Sequence, residues 1–199
     1  MENPNKNSES GPSGDKFVKN IRFNLESGTL LLDLDKNKTD PEKVRGFAEE
    51  RGLLEKDEAH VTVIGSDTAE QIMARLGDLP RGEKEEILAK IRAVVESIDW
   101  QFVFKPEYYY IKKEYDDPDP TDSSKIIHEV RESVIQLAET GNLAEFYAKL
   151  KEVTGLELEV PMPHVTLFTT STREDKRKRG IGIYSERDFD ELKPERIEI

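Results

Sequence analysis

The chain has no cysteine, three histidines and a single tryptophan among its 199 residues. Without cysteine it can form no disulfide, iron–sulfur cluster or thiolate zinc site, and it has no thiol nucleophile. No apolar run approaches the ~20 residues that span a bilayer. The opening segment, residues 1–15, has no apolar signal-peptide core. A cytoplasmic protein with no membrane partner is the expectation. An excess of positive charge is also missing: 30 Lys and Arg stand against 42 Asp and Glu, a net charge of -12. Such a surface repels the phosphates of long duplex DNA, yet a locally basic cleft can still take a small anion or a strand end. Most of the charge serves solubility, in keeping with a mean hydropathy of -0.70.

The apolar residues that are present fall into periodic runs, so most of the chain reads as folded. Residues 1–15, rich in Asn, Ser, Gly and Pro, read as a disordered tail, and 16–199 as a single domain. Phe17 to Asn24 alternates weakly. Gly28 to Asp35 is a stronger strand, with Leu30, Leu32 and Leu34 on one face. Asp40 and Pro41 open a helix that stops at Gly52. Strand 58–64 follows, then a helix from a Ser66 or Asp67 cap to Gly77, and another over 83–98 with Ile87, Ile91, Val94, Val95 and Ile98 in helical register. Strands are expected over 100–104 and 108–115. The loop 116–124 leads to a long helix over 125–139, broken at Gly141 and resumed over 143–153. A core strand over 161–170, a basic tract over 173–179 and a last strand over 180–184 complete the order. Helices that separate strands throughout give an α+β fold, its sheets backed by helices.

Two of the three histidines occupy nearly the same context. Ala59-His60-Val61-Thr62-Val63 is echoed by Pro163-His164-Val165-Thr166-Leu167. On a strand, side chains alternate between faces. His60 and Thr62 therefore share one face, as do His164 and Thr166, while the valines and the leucine pack beneath the helices. Each strand presents an imidazole and a hydroxyl together. Phosphodiester hydrolysis needs a base to activate water and an acid to protonate the leaving oxygen, on opposite sides of phosphorus. With an unperturbed pKa near ~6.5, histidine can do either. Threonine hydroxyls can donate to the non-bridging oxygens, where charge accumulates.

These paired His-x-Thr-apolar strands, in an alternating chain of this size, resemble the two-histidine (2H) phosphoesterase superfamily, which includes RNA 2',3'-cyclic phosphodiesterases. The likeness covers residues 28–184. It implies a bilobal fold around a central cleft, a tetrad of His60, Thr62, His164 and Thr166, no metal, no cofactor, and substrates that are cyclic phosphates or 2'-5' linked nucleotides. The separation of the motifs and the acidic loop 116–122 depart from the family pattern. The leading expectation is hydrolysis of a 2',3'-cyclic phosphate at an RNA end or on a nucleotide, by a monomer. The alternative is a module that binds a nucleotide or RNA end in the same cleft without turnover.

Other residues carry weaker signals. Tyr108, Tyr110 and Lys112 share a strand face and could stack on a base and meet a phosphate, or simply pack. Arg173, at the start of the basic tract, could sit at the cleft mouth as a phosphate-binding lip. His128 reads as an ordinary helix histidine. No metal-ligand cluster, phosphate loop or nucleophile elbow is apparent.

Overall fold

The structure is a computed structural model that describes residues 18–119, 122 and 124–199; the expected tail over 1–15 lies outside them. The strands are β1 (Val18–Phe23), β2 (Leu30–Leu34), β3 (Leu54–Glu55), β4 (His60–Ile64), β5 (Val103–Pro118), β6 (Ile126–Glu139), β7 (His164–Ser171) and β8 (Glu195–Arg196). The α-helices are α1 (Arg45–Glu50), α2 (Ser66–Gly77), α3 (Arg81–Ser97), α4 (Leu143–Thr154) and α5 (Glu186–Glu191). One sheet runs in the order β1-β2-β4-β7-β6-β5-β8, with β3 also on β7, and its registered pairs are antiparallel. The fold is α+β.

Alternation along the strands creates two different faces. Leu30, Leu32, Leu34, Val61, Val63, Val165 and Leu167 are buried in one core with residues of α1 to α4, among them Ala48, Ile72, Ile91, Val95, Phe146 and Leu150. The Tyr147 hydroxyl on α4 donates to the Val63 carbonyl at 2.8 Å, tying that helix to β4. The opposite face carries the imidazoles. There a smaller cluster of Ile111, Ile135 and Leu137 packs against Ile181, Ile183 and Phe189 from the C-terminal segment.

Several expectations are corrected. Residues 126–139 form the strand β6, paired with β5 from Pro118↔Ile126 to Val103↔Glu139. The segment holds five β-branched aliphatics, Ile126, Ile127, Val130, Val134 and Ile135, which favour strand. Its two-residue period was masked because the buried face carries Glu129, Arg131 and Ser133. His128 thus lies on an exposed strand end, beside Asp116. Residues 103–118 are one strand with an irregularity between Phe104 and Tyr108 that accommodates Pro106. Trp100 precedes that strand and donates its indole N–H to the Val95 carbonyl at 3.1 Å. The helix expected from Asp40 begins as a 3-10 turn, and Asp40 makes no side-chain capping bond. Gly65 occupies the cap of α2, so neither Ser66 nor Asp67 does. Residues 180–184 pair with no strand and cross the imidazole face as irregular chain.

Leu32 is 0% exposed and Ile21 is 38% exposed. Leu32→Ala is expected to lower unfolding free energy by about 2–5 kcal/mol, the range for an emptied core site. Ile21→Ala should cost below about 0.5 kcal/mol, as for a surface substitution. Urea titration of both variants checks this, and equal losses would contradict the assignment of the core to the helix-covered face.

Candidate active site

Strands β4 and β7 meet through one registered pair, Val61↔Val165. Antiparallel register then sets His60 opposite Thr166 and Thr62 opposite His164. Both valines are buried on the helix side, so all four polar residues project to the other face. The histidines occupy diagonal positions, and diagonal neighbours stand ~7–8 Å apart across an antiparallel pair. The four residues line one cavity of about 510 Å³. Its walls add Lys56, Ser66, Asp67, Tyr115, Asp117, Arg131, Lys176, Arg179 and the segment 180–184.

Both imidazoles are shielded from water, and burial is the main cause that pushes each pKa below the ordinary value. His164 is 8% exposed. Its Nδ1 lies 2.8 Å from the Met162 carbonyl. A carbonyl can only accept, so this contact puts a proton on Nδ1. The carbonyls of Met162 and Ile181 oppose the effect of burial in part. Around His60 the surroundings are charged. The Glu58 carboxylate lies 3.5 Å from Nδ1 and favours the imidazolium, while Lys56 and Arg22 disfavour it.

The floor beside the tetrad is a buried charge network. Glu129, 1% exposed, accepts from Arg131, whose Nη2 lies at 2.9 Å, from the Ser171 hydroxyl at 2.7 Å, and pairs with Lys176 at 3.2 Å. The Arg131 hydrogen bond is the largest cause that holds the Glu129 carboxyl down at about 2. Arg131 in turn lies over the Tyr115 ring, 4.2 Å from its centroid. Burial pushes the Tyr115 phenol up to about 12, so it stays neutral.

Residues 180–184 close one wall. All five residues line the cavity, and Ile181 and Ile183 are buried as they do so. The glycines are needed for contact. A Cβ on Gly182 would stand 2.6 Å from the Tyr184 hydroxyl, and one on Gly65 would stand 2.7 Å from the ring. The Tyr184 hydroxyl lies 3.0 Å from Ser66 Oγ.

Tyr108, Tyr110, Lys112 and Arg173 do not line this cavity. Tyr108 and Tyr110 face the helix side: Tyr108 is buried in the core, and Tyr110 packs edge-on to Phe47. Lys112 shares their face. Arg173 is engaged by Asp175 and Asp117. The expected strand was right, but its other face, with Tyr115, supplies the cavity. Sequence reasoning passed over Lys56, Arg131, Tyr115 and Tyr184. The signal for Tyr184 was available in the alternation Gly-Ile-Gly-Ile-Tyr over 180–184, where small and apolar residues take turns. Among the described residues, no group of three or more His, Asp or Glu is arranged to hold a metal ion. No helix among them is long and apolar enough to cross a membrane.

Lowered histidine pKa values link the site to stability. Between the folded values and the unfolded value near ~6.5 the unfolded chain binds more protons, so stability rises with pH through that window and falls on acidification. The urea midpoint should therefore drop from pH 7.5 to pH 5.5, and the drop should shrink in His164→Gln. An unchanged slope in that variant would contradict the buried, neutral imidazole. Separately, Glu129→Gln should cost about 3–5 kcal/mol, because it strands the buried Arg131 charge. Chemical denaturation at pH 7 checks that loss.

In comparisons with known proteins, no family model, curated protein or solved structure matches the chain.

Proposed function

We propose that the chain is a 2H-type phosphoesterase that opens a 2',3'-cyclic phosphate at an RNA end or on a nucleotide, without a metal ion. The observation that carries this reading is the Val61↔Val165 register, which sets two His-Thr pairs diagonally on one face inside one cavity. A phosphate seated at the centre has an imidazole on each side and a hydroxyl beside each imidazole. One histidine takes a proton from water as its oxygen attacks phosphorus. The bond to one ribose oxygen breaks on the far side, and the other histidine gives that oxygen its proton. A phosphomonoester and a free hydroxyl result, the net charge of the enzyme is unchanged, and the cycle closes when one histidine releases its proton and the other takes one up. Thr62 and Thr166 are the donors to the non-bridging oxygens. Both imidazoles lose charge on burial, and the negative charge of a bound phosphate reverses that for the one that serves as acid.

The buried placement of His164 favours catalysis over binding alone. A module that only held phosphate would gain most from permanently charged donors, and a desolvated neutral imidazole supplies little attraction. Turnover of cyclic nucleotides should persist in EDTA. Activity lost in EDTA and restored by a divalent ion would count against the mechanism. His60→Ala and His164→Ala should each lower kcat by about 10²–10⁴-fold, with the double variant little worse than the poorer single one, since both serve one displacement. Thr62→Ala and Thr166→Ala should be milder. The pH–rate profile should be bell-shaped and lose one limb in each histidine variant, which identifies base and acid. Near wild-type kcat in both histidine variants would overturn the proposal.

A further inference from the structure

The cavity is chemically lopsided. At the Thr62 and His164 end stand Ser66, Ile183 and Tyr184. Gly65, just before Ser66, packs on the Tyr184 ring and near the Thr62 methyl group. At the His60 and Thr166 end stand Lys56 and Arg179. Gly180, which follows Arg179, lies so close to Thr166 that a Cβ there would be 3.0 Å from its hydroxyl. The charge of Lys56 reaches the His60 imidazole.

Four basic side chains line the cavity, Lys56, Arg131, Lys176 and Arg179. Two are already neutralised: Arg131 by Glu129, and Lys176 by Asp117 and Glu129. The other two lack carboxylate partners among the described residues. The Lys56 ammonium donates to the Lys178 carbonyl at 2.9 Å. The Arg179 guanidinium makes no ion pair or hydrogen bond there, while its main-chain carbonyl accepts from the Thr169 hydroxyl at 3.1 Å. The backbone that carries them is held in place. Lys178 pairs with Asp57, and the Lys56 amide donates to the Leu167 carbonyl at 2.9 Å. In a chain with 42 acidic residues, two cations without carboxylate partners among the described residues, carried on held backbone at one end of a cavity, offer positive charge to an anion. The tetrad is fully occupied by one phosphate, so that anion is a second one.

We infer that Lys56 and Arg179 form a second phosphate subsite, which receives the phosphate on the 5' side of the nucleotide whose cyclic phosphate reacts. The inference rests on the tetrad reading above and narrows its substrate class. The preferred substrate carries two phosphates one ribose apart, and a bare nucleoside cyclic phosphate is a poor one. A 5'-terminal phosphate and an internal phosphodiester of an RNA chain share this chemistry.

Three substrates separate the possibilities: a nucleoside 2',3'-cyclic phosphate, the same compound with a 5'-phosphate, and a dinucleotide that ends in the cyclic phosphate. kcat/KM is measured on each for the full chain and for Lys56→Gln, Arg179→Gln and the double variant. Arg177→Gln, an exposed residue of the same tract paired with Glu174, serves as the control. The wild type should prefer at least one of the two-phosphate substrates over the bare one by about 10–100-fold, as expected for charge-assisted contacts. Arg179→Gln should cut that ratio by about tenfold, the double variant should bring it near one, and Arg177→Gln should leave it in place. Whichever two-phosphate substrate is favoured identifies the source of the phosphate. Equal kcat/KM on all three substrates would overturn the subsite and leave the tetrad reading intact. So would a preference that survives in the double variant. Failure to turn over any of the three would overturn the tetrad reading and this inference together.

Discussion

A single backbone register organises this molecule. Val61 pairs with Val165, and because side chains alternate along each strand, that one alignment decides which four residues share the face of β4 and β7 away from the helices. A slip of one residue would turn one motif into the core and bring its two apolar residues, Val61 and Val63 or Val165 and Leu167, into the cavity. The alignment is enforced from the helix side. Val61, Val63, Val165 and Leu167 are each at most 4% exposed there, so apolar burial fixes the register and the polar constellation follows from it. The chemistry of one face is set by the packing of the other.

The rest of the imidazole face shows a second constraint. Glu129, Arg131 and Ser133 occupy buried positions in the middle of β6, where an aliphatic strand would fold at least as well. The charges of Glu129 and Arg131 are offset by each other and by Ser171, Lys176 and the ring of Tyr115. The network fixes Arg131 and Tyr115 at the cavity wall. It also connects β6, β7 and the basic tract through Lys176, so the tract is anchored where it reaches the cavity. A stretch that reads as a solvated run of charge is in part structural.

What could be read from the chain follows from the same physics. The strands around Leu30, His60 and His164 were legible because alternation there separates apolar from polar residues cleanly. The convergence of His60, Thr62, His164 and Thr166 was legible because the motif repeats. β6 was not, because its buried side carries charge, and hydropathy treats a paired Glu and Arg as exposed. Lys56 and Tyr184 were invisible for another reason. They lie in short irregular segments whose path depends on contacts with distant parts of the chain: Lys56 with the backbone of Lys178, Tyr184 with Ser66 and the gap left by Gly65. Tyr108 and Tyr110 were read on the correct strand, but which of its faces meets the helices is decided by partners such as Phe47.

The antiparallel crossing of β4 and β7 has one more consequence. A local two-fold axis passes between Val61 and Val165, normal to the sheet, and exchanges His60 with His164 and Thr62 with Thr166. To a phosphate seated on that axis, the two ends of the tetrad present the same kinds of group. Under the proposed chemistry, a cyclic phosphate turned by half a revolution would exchange its two ribose oxygens between the histidines. The tetrad alone therefore does not dictate regiochemistry, that is, whether the 2' or the 3' oxygen keeps the phosphate. That choice falls to the groups that break the symmetry, Lys56 and Arg179 at one end and Ser66 and Tyr184 at the other.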